Sequence, residues 1–283
     1  MYRQIIIEGI INGSIIALVA IGISLIWGVM NILNFAQGEF LMLGMYVGFY
    51  MNKYFGWDPI FSLPIAAIVL FCLGFVIYKT LISRVLRGPI LSQRLLTFAL
   101  SMVLMNLALT FFSGEFKTVN KLMLSGHVSI IGVRVSVAKL VPFITCIILA
   151  IGLYLFVNKT RIGKAIQATS MDRKAASLMG IDSENSFALA FSISAAVTGM
   201  AGCILTYYYY VFPGVGATFQ LFGFIAVAMG GFGSIIGALF GGIIMGVVDT
   251  TTGVLASPAF KYLAVCIAYV VIVSVRPKGL FGR

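Results

Sequence analysis

IIIEGIINGSIIALVAIGISLIWGVMNILNFAQGE, residues 5–39, carries the decision between a membrane-embedded and a water-soluble fold. Residues 5–30 are apolar but for Glu8, Asn12 and small polar serines, and the run exceeds the ~20 residues that take a helix across hydrocarbon. It is too long for the core of a secretory leader and has no evident A-x-A cleavage pattern, so it reads as a retained first helix. Asn31, Asn34, Gln37 and Glu39 then follow within nine residues. Polar groups are costly at membrane depth unless they face protein interior or a water-filled cavity. These four either cap a broken helix or border a substrate path, because short, interrupted segments mark the binding regions of transporters.

The rest of the chain repeats the theme. Full-length apolar runs cover 60–82, 95–113, 138–157, 186–210, 234–255 and 259–275, and two shorter ones cover 39–52 and 219–230. The GGFGS stretch at 230–234 breaks the second half as 31–38 breaks the first. With 61% hydrophobic residues, 10% charged and a mean hydropathy of +1.09, the 283 residues lack the polar surface a soluble globule needs, about 25% charged. The expectation is an all-α integral membrane protein of eight or nine transmembrane helices, with broken helices and a pseudo-repeat, forming one domain over 1–283.

The net charge of +11 belongs to the membrane topology and not to nucleic acid, because basic residues concentrate in loops that stay cytoplasmic. Stretches 79–94, 158–184 and 276–283 hold twelve of the 19 Lys and Arg residues. Nine crossings with residue 1 outside and residue 283 inside satisfy this, as do eight crossings with one re-entrant segment.

Loop 158–184 is the longest polar stretch on that side, and 163–178 within it reads as one short amphipathic helix stopped by Gly180. Ile162, Ile166 and Thr169 share a face, continued by Ala175, Ala176 and Met179. Such a helix either lies among lipid headgroups or docks in a groove of a cytoplasmic partner. The outer loop 114–139 alternates apolar and polar residues near 128–137, the period of a small hairpin. Asp249 with Thr250, Thr251 and Thr252 forms a further polar cluster at the outer end of the 234–255 run, and Asn12 and Asn106 suit hydrogen bonds between helices. Glycines spaced by four, at 233, 237 and 241, 242 and 246, and 44 and 48, suit close helix contact. Cys72, Cys146, Cys203 and Cys266 sit in apolar runs and read as small buried hydrophobes, and the one histidine, His127, lies in a polar loop. No GxxxxGK[ST], GxSxG or HExxH occurs, so no nucleotide site, hydrolytic triad or zinc site is expected in this chain.

Five ordered stretches together resemble the LivH-type permeases of branched-chain amino-acid ABC importers. They are Asn12-Gly13-Ser14 with Ala17 to Ala20, Asn34 to Glu39, Gly163-Lys164-Ala165 through Ala175-Ala176 to Asp182, Gly230 to Ser234, and Arg276 to Gly282. The resemblance implies pairing with a second, LivM-like permease, two cytoplasmic ATPases that bind ATP and Mg, and an extracytoplasmic substrate-binding protein, all at a bacterial inner membrane. It makes 158–184 the coupling segment, with Gly163, Lys164, Ala165, Asp172, Arg173, Ala176 and Gly180 at the ATPase contact, and it sets Asn12, Asn31, Asn34, Gln37, Glu39, Asp249 and Thr250 along the translocation path. Asp249, where family members commonly carry Glu, and the run Tyr207 to Tyr210 depart from the pattern and leave the substrate open among branched-chain amino acids, other amino acids, amides and urea. A stand-alone secondary carrier or channel, working without ATPases, is the alternative of a different class.

Overall fold

The computed structural model describes residues 2–86, 88–119, 126–130 and 133–282. Chain order runs α1 (Tyr2–Met30), α2 (Gln37–Phe55), α3 (Pro59–Ile77, carried to Val85 by a π-helical turn at Tyr78–Ile82), α4 (Ile90–Phe112), β1 (His127–Ile130) and β2 (Val133–Ser136). Then come α5 (Val137–Lys159), α6 (Arg161–Met171), α7 (Arg173–Leu178), α8 (Ser183–Leu205), α9 (Val215–Gly230), α10 (Ile235–Leu255) and α11 (Lys261–Val275).

Seven of these helices are long and apolar enough to cross a membrane, the shorter apolar α9 joins them, and the seven coincide with the full-length runs of the sequence. The chain is a multi-pass membrane protein. Of the most apolar window of α1, 89% is buried inside the protein, and of α8 83%, whereas α11 buries 6% of its own. A helix apolar on every side is buried either by protein or by lipid. The first two form the core, and the rest turn Ile68, Phe111, Ile148 and Val270 outward to lipid.

The four-residue glycine spacing is used within the chain. α1 runs antiparallel along α10 with Gly9 against Val247, Gly13 against Gly242 and Ile243, and Gly242 and Gly246 against Ala17 and Gly13. A Cβ on Gly44 would strike the carbonyl of Gly199, so α2 lies on α8 backbone to backbone. Without a hydrophobic drive between helices in lipid, this closeness supplies the dispersion contacts that hold the bundle.

The three basic stretches gather at one end, the end expected from their charge to face the cytoplasm. There Lys79 Nζ donates to Asn185 Oδ1 at 2.8 Å. The Gly231–Ser234 turn meets Gly28 at the same end, and residues 276–282 strap it in place: Leu280 N donates to Met229 O and Phe281 N to Gly230 O, each at 2.9 Å. Two of the motif stretches are thus partners in space. At the other end β1 pairs antiparallel with β2, His127 opposite Ser136, within the segment of alternating polarity.

Three expectations are corrected. The single helix over 163–178 is two helices, because the Asp172 carboxylate accepts from Lys174 N (2.8 Å) and Ala175 N (3.0 Å) and so starts α7 afresh. Cys72 and Cys266 lie on outward faces, and only Cys146 and Cys203 are buried. Asn106 bonds its own helix, Nδ2 donating to Met102 O at 2.7 Å, and bridges to no neighbour.

Candidate functional site: two half-helices meeting at mid-membrane

Ser194 stands eleven residues from either end of α8, at its middle. Its hydroxyl donates to Gly22 O at 2.7 Å, and Gln37 Nε2 donates to Ser194 Oγ at 2.8 Å and lies against Thr198 Oγ1 and Ser194 O. The first residue of α2 therefore sits at mid-membrane. α1 continues past Gly22 toward the cytoplasm for about another 12 Å at 1.5 Å per residue, ends on Asn31, and the chain climbs back. Asn31 itself is exposed and left-handed (φ 55°), at the end of α1 and outside the bonded junction.

α9 mirrors α2. A Cβ on Gly38 would meet the Gly216 carbonyl, which sets the first turns of α2 and α9 against each other. From this shared depth α2 runs outward for about 28 Å and α9 inward for about 24 Å. The counterpart of the break at 31–36 is thus the segment 206–214, which re-enters from outside; the 230–234 stretch named from sequence is the last residue of α9 followed by a turn between α9 and α10. The outer re-entrant segment is held by Tyr207, whose hydroxyl donates to the Asp58 carboxylate at the start of α3, and by a two-way backbone bridge between Lys117 and Val211 (2.8 and 2.9 Å).

A polar ring closes around the junction. Asn34 Nδ2 donates to Gln37 Oε1 (3.0 Å), Asn34 Oδ1 accepts from Ala36 N (3.0 Å), and Gln220 from α9 donates to Asn34 O (3.1 Å) while its own oxygen caps Gly38 N. Glu39, 2% exposed, accepts from Ser101 of α4 at 3.1 Å. Two helix N-termini, each with the equivalent of about half a positive charge, face one another here. Asn34, Gln37 and Glu39 were legible in the sequence; Ser101, Ser194, Thr198 and Gln220 were not, since each is a common small or amide residue within an apolar helix.

The other residues assigned to the path lie elsewhere. Asn12 Nδ2 donates to Thr250 Oγ1 at 3.4 Å, and Asp249 pairs with Lys261 at 3.2 Å, both toward the outer end of the α1–α10 pair. Asn12 is ten residues, about 15 Å of helix, from Gly22. Toward the cytoplasm a cavity of about 360 Å³ opens between Ser24, Gly28, Asn158, Gln167, Ser234 and Phe281, roofed by α6.

The α6–α7 elbow that roofs it is shaped by the residues expected at the ATPase contact. A Cβ on Gly163 would strike the carbonyls of Phe156 and Val157, so Gly163 lets α6 fold back on α5. Arg173 lies over the Phe187 ring at 5.3 Å and pairs with Glu184 at 3.7 Å. Gly180 (φ 81°) ends α7, with Gly180 N donating to Ser177 O and Ile181 N to Ala176 O, the two bonds of a Schellman turn. Ala176 is buried, Ala165 half-buried, and Lys164 and Asp172 exposed. The elbow displays Met171, Leu178 and Met179, 82–89% exposed at the cytoplasmic end; sequence reasoning placed Met179 on the apolar stripe but missed Met171 and Leu178, and Ile162, read on one face with Ile166 and Thr169, is exposed while Gly163 joins those two as buried.

The family described as branched-chain amino acid transport system / permease component matches residues 5–275. The high-affinity branched-chain amino acid transport permease proteins BraD of Pseudomonas aeruginosa and LivH of Escherichia coli are each 29% identical to this chain, covering 100% of it and 96% of their own length. A probable LivH of Methanocaldococcus jannaschii is 30% identical over 91% of this chain and 84% of its own. Among solved structures, PsaBC of Streptococcus pneumoniae in complex with a Fab is similar in fold, with a TM-score of 0.53 at 13% identity, covering 97% of this chain and 92% of that one. A family match over residues 5–275, nearly the whole chain, makes this protein a member of the branched-chain amino-acid transport permease family, of the LivH type.

Proposed function

We propose that this chain is one of two permease subunits of an ATP-driven importer of leucine, isoleucine and valine in a bacterial inner membrane. A LivM-like chain completes the path, two cytoplasmic ATPases drive it, and an extracytoplasmic binding protein delivers substrate. The observation that carries this reading is the elbow: three large apolar side chains held out to water on a rigid double cap, on the side rich in Lys and Arg. Exposed apolar clusters of this kind mark contact surfaces. An ATPase seated there would pull on α6 and, through Gly163, on α5.

The half-helix junction borders the path in this reading. Opposed N-termini favour a carboxylate, the group every amino acid carries, as it passes mid-membrane. Asn12, Asp249 and Thr250 are assigned to the outer approach. The identity of the substrate rests on the relatives, whose names give branched-chain amino acids.

Isolation of the chain from solubilised membranes, with mass identification of stoichiometric partners and an ATPase assay stimulated by each candidate substrate, tests the whole proposal. Two ATPases, a second permease and stimulation by leucine, isoleucine or valine are expected. Stimulation by urea or amides instead would change the substrate, and a chain recovered alone that still transports would make it a secondary carrier.

A further inference from the structure

We propose that Glu39 is a neutral carboxylic acid, a positioning residue that holds a proton at the junction of the two half-helices and donates it to Ser101. The carboxyl is 2% exposed at mid-membrane, and among the described residues Oε2 has no hydrogen-bond partner. The one side-chain polar contact of the carboxyl among those residues is the 3.1 Å approach of Ser101 Oγ to Oε1. An ionised carboxylate offers about four acceptor positions, and buried ones fill several with donors or a cation. The side chains bonded around the junction from every element packed there are neutral: Asn34, Gln37, Ser101, Ser194, Thr198 and Gln220. The ion pairs of the described residues, Lys139 with Glu8, Arg173 with Glu184 and Lys261 with Asp249, are all elsewhere.

The two helix N-termini pull the other way, toward the anion. Each supplies a surface-scale electrostatic gain, whereas an unpaired ion in hydrocarbon-like surroundings loses its whole hydration. Burial decides the balance. The hydroxyl proton rotates freely, so the Ser101 contact serves equally with the proton on Oε1, and Oε2 is then a carbonyl oxygen, the group that tolerates an empty lone pair most cheaply. Gly216 completes the fit: a Cβ there would sit 2.8 Å from Oε2, so only a position without a side chain leaves room for the acid. A neutral Glu39 also leaves the junction's positive ends uncompensated, open to an anion from outside the chain. The inference stands on the junction's geometry and does not depend on the transport reading.

Infrared difference spectroscopy on the full chain in lipid nanodiscs at neutral pH tests it without any transport assay. Wild type minus E39Q is expected to contain a protonated-carboxyl carbonyl band, with E39Q melting within a few degrees of wild type because an amide can replace the acid as donor. Wild type minus Ser101→Ala is expected to show that same band shifted in frequency, since its hydrogen bond is gone, which keeps the test decisive if E39Q does not fold. A difference confined to the ionised-carboxylate bands in either comparison would overturn the proposal.

Discussion

Replacing Gln37 by Ala removes the side chain that ties α2 to the middle of α8 and leaves the Thr198 hydroxyl and the Asn34 amide nitrogen as buried, unsatisfied groups, while Ser194 keeps its bond to Gly22 O. Each such orphan costs about 1–3 kcal/mol. Thermal unfolding in detergent should show Gln37→Ala melting well below wild type, while Asn106→Ala, on a lipid-facing side chain bonded only to its own helix, should stay near it. Asn34 and Gln37 announced themselves because they cluster with Asn31 and Glu39 in a polar break between apolar runs. Their partners did not, being 157–186 residues distant in sequence and chemically unremarkable without the fold that brings them together.

The α6–α7 elbow is an element whose shape and display are separable by mutation. Asp172→Ala deletes the cap of α7, a loss of about 1 kcal/mol of local stability, and Gly163→Leu forces α6 off α5. Both should lower ATPase-coupled uptake in reconstituted vesicles more than they lower binding of the ATPases. Leu178→Asp and Met179→Asp should do the reverse, abolishing ATPase co-purification while leaving the melting temperature of the isolated chain unchanged, because neither side chain packs on anything in it. A second contrast concerns helix contacts: Gly44→Ala drives a methyl into the Gly199 carbonyl, whereas Gly152→Ala on α5 meets nothing within 4 Å. The first should destabilise strongly; the second should be neutral or gain up to about 1 kcal/mol from helix propensity, both read as denaturant midpoints. Sequence periodicity located the elbow but not its division, since the apolar stripe runs straight through residue 172 and only the local capping bonds interrupt it.

For the whole molecule, the basic residues predict which end faces the cytoplasm. In sealed right-side-out vesicles, Tyr54→Cys should react with an impermeant thiol reagent and Met171→Cys should not, with the pattern exchanged in inverted vesicles. Helix number and positions were readable because the bilayer demands long apolar runs. The pairing of breaks was not: glycines drew attention to 230–234, while the true counterpart of 31–36 hides in an aromatic segment, 206–214, whose depth is set by Gly216 meeting Gly38.

The seam between α1 and α10 carries a consequence for how this protein can vary. Lipid-facing positions such as Ile148 or Val270 accept any apolar side chain, because their surroundings are fluid. Gly9, Gly13, Gly242 and Gly246 accept almost none, because what they touch is another backbone that has nowhere to go. In a saturation-mutagenesis library the seam should stand out as paired rows of intolerant sites at intervals of four on two segments more than 200 residues apart, and random drift should leave those rows among the slowest-changing positions of the chain for reasons of packing alone.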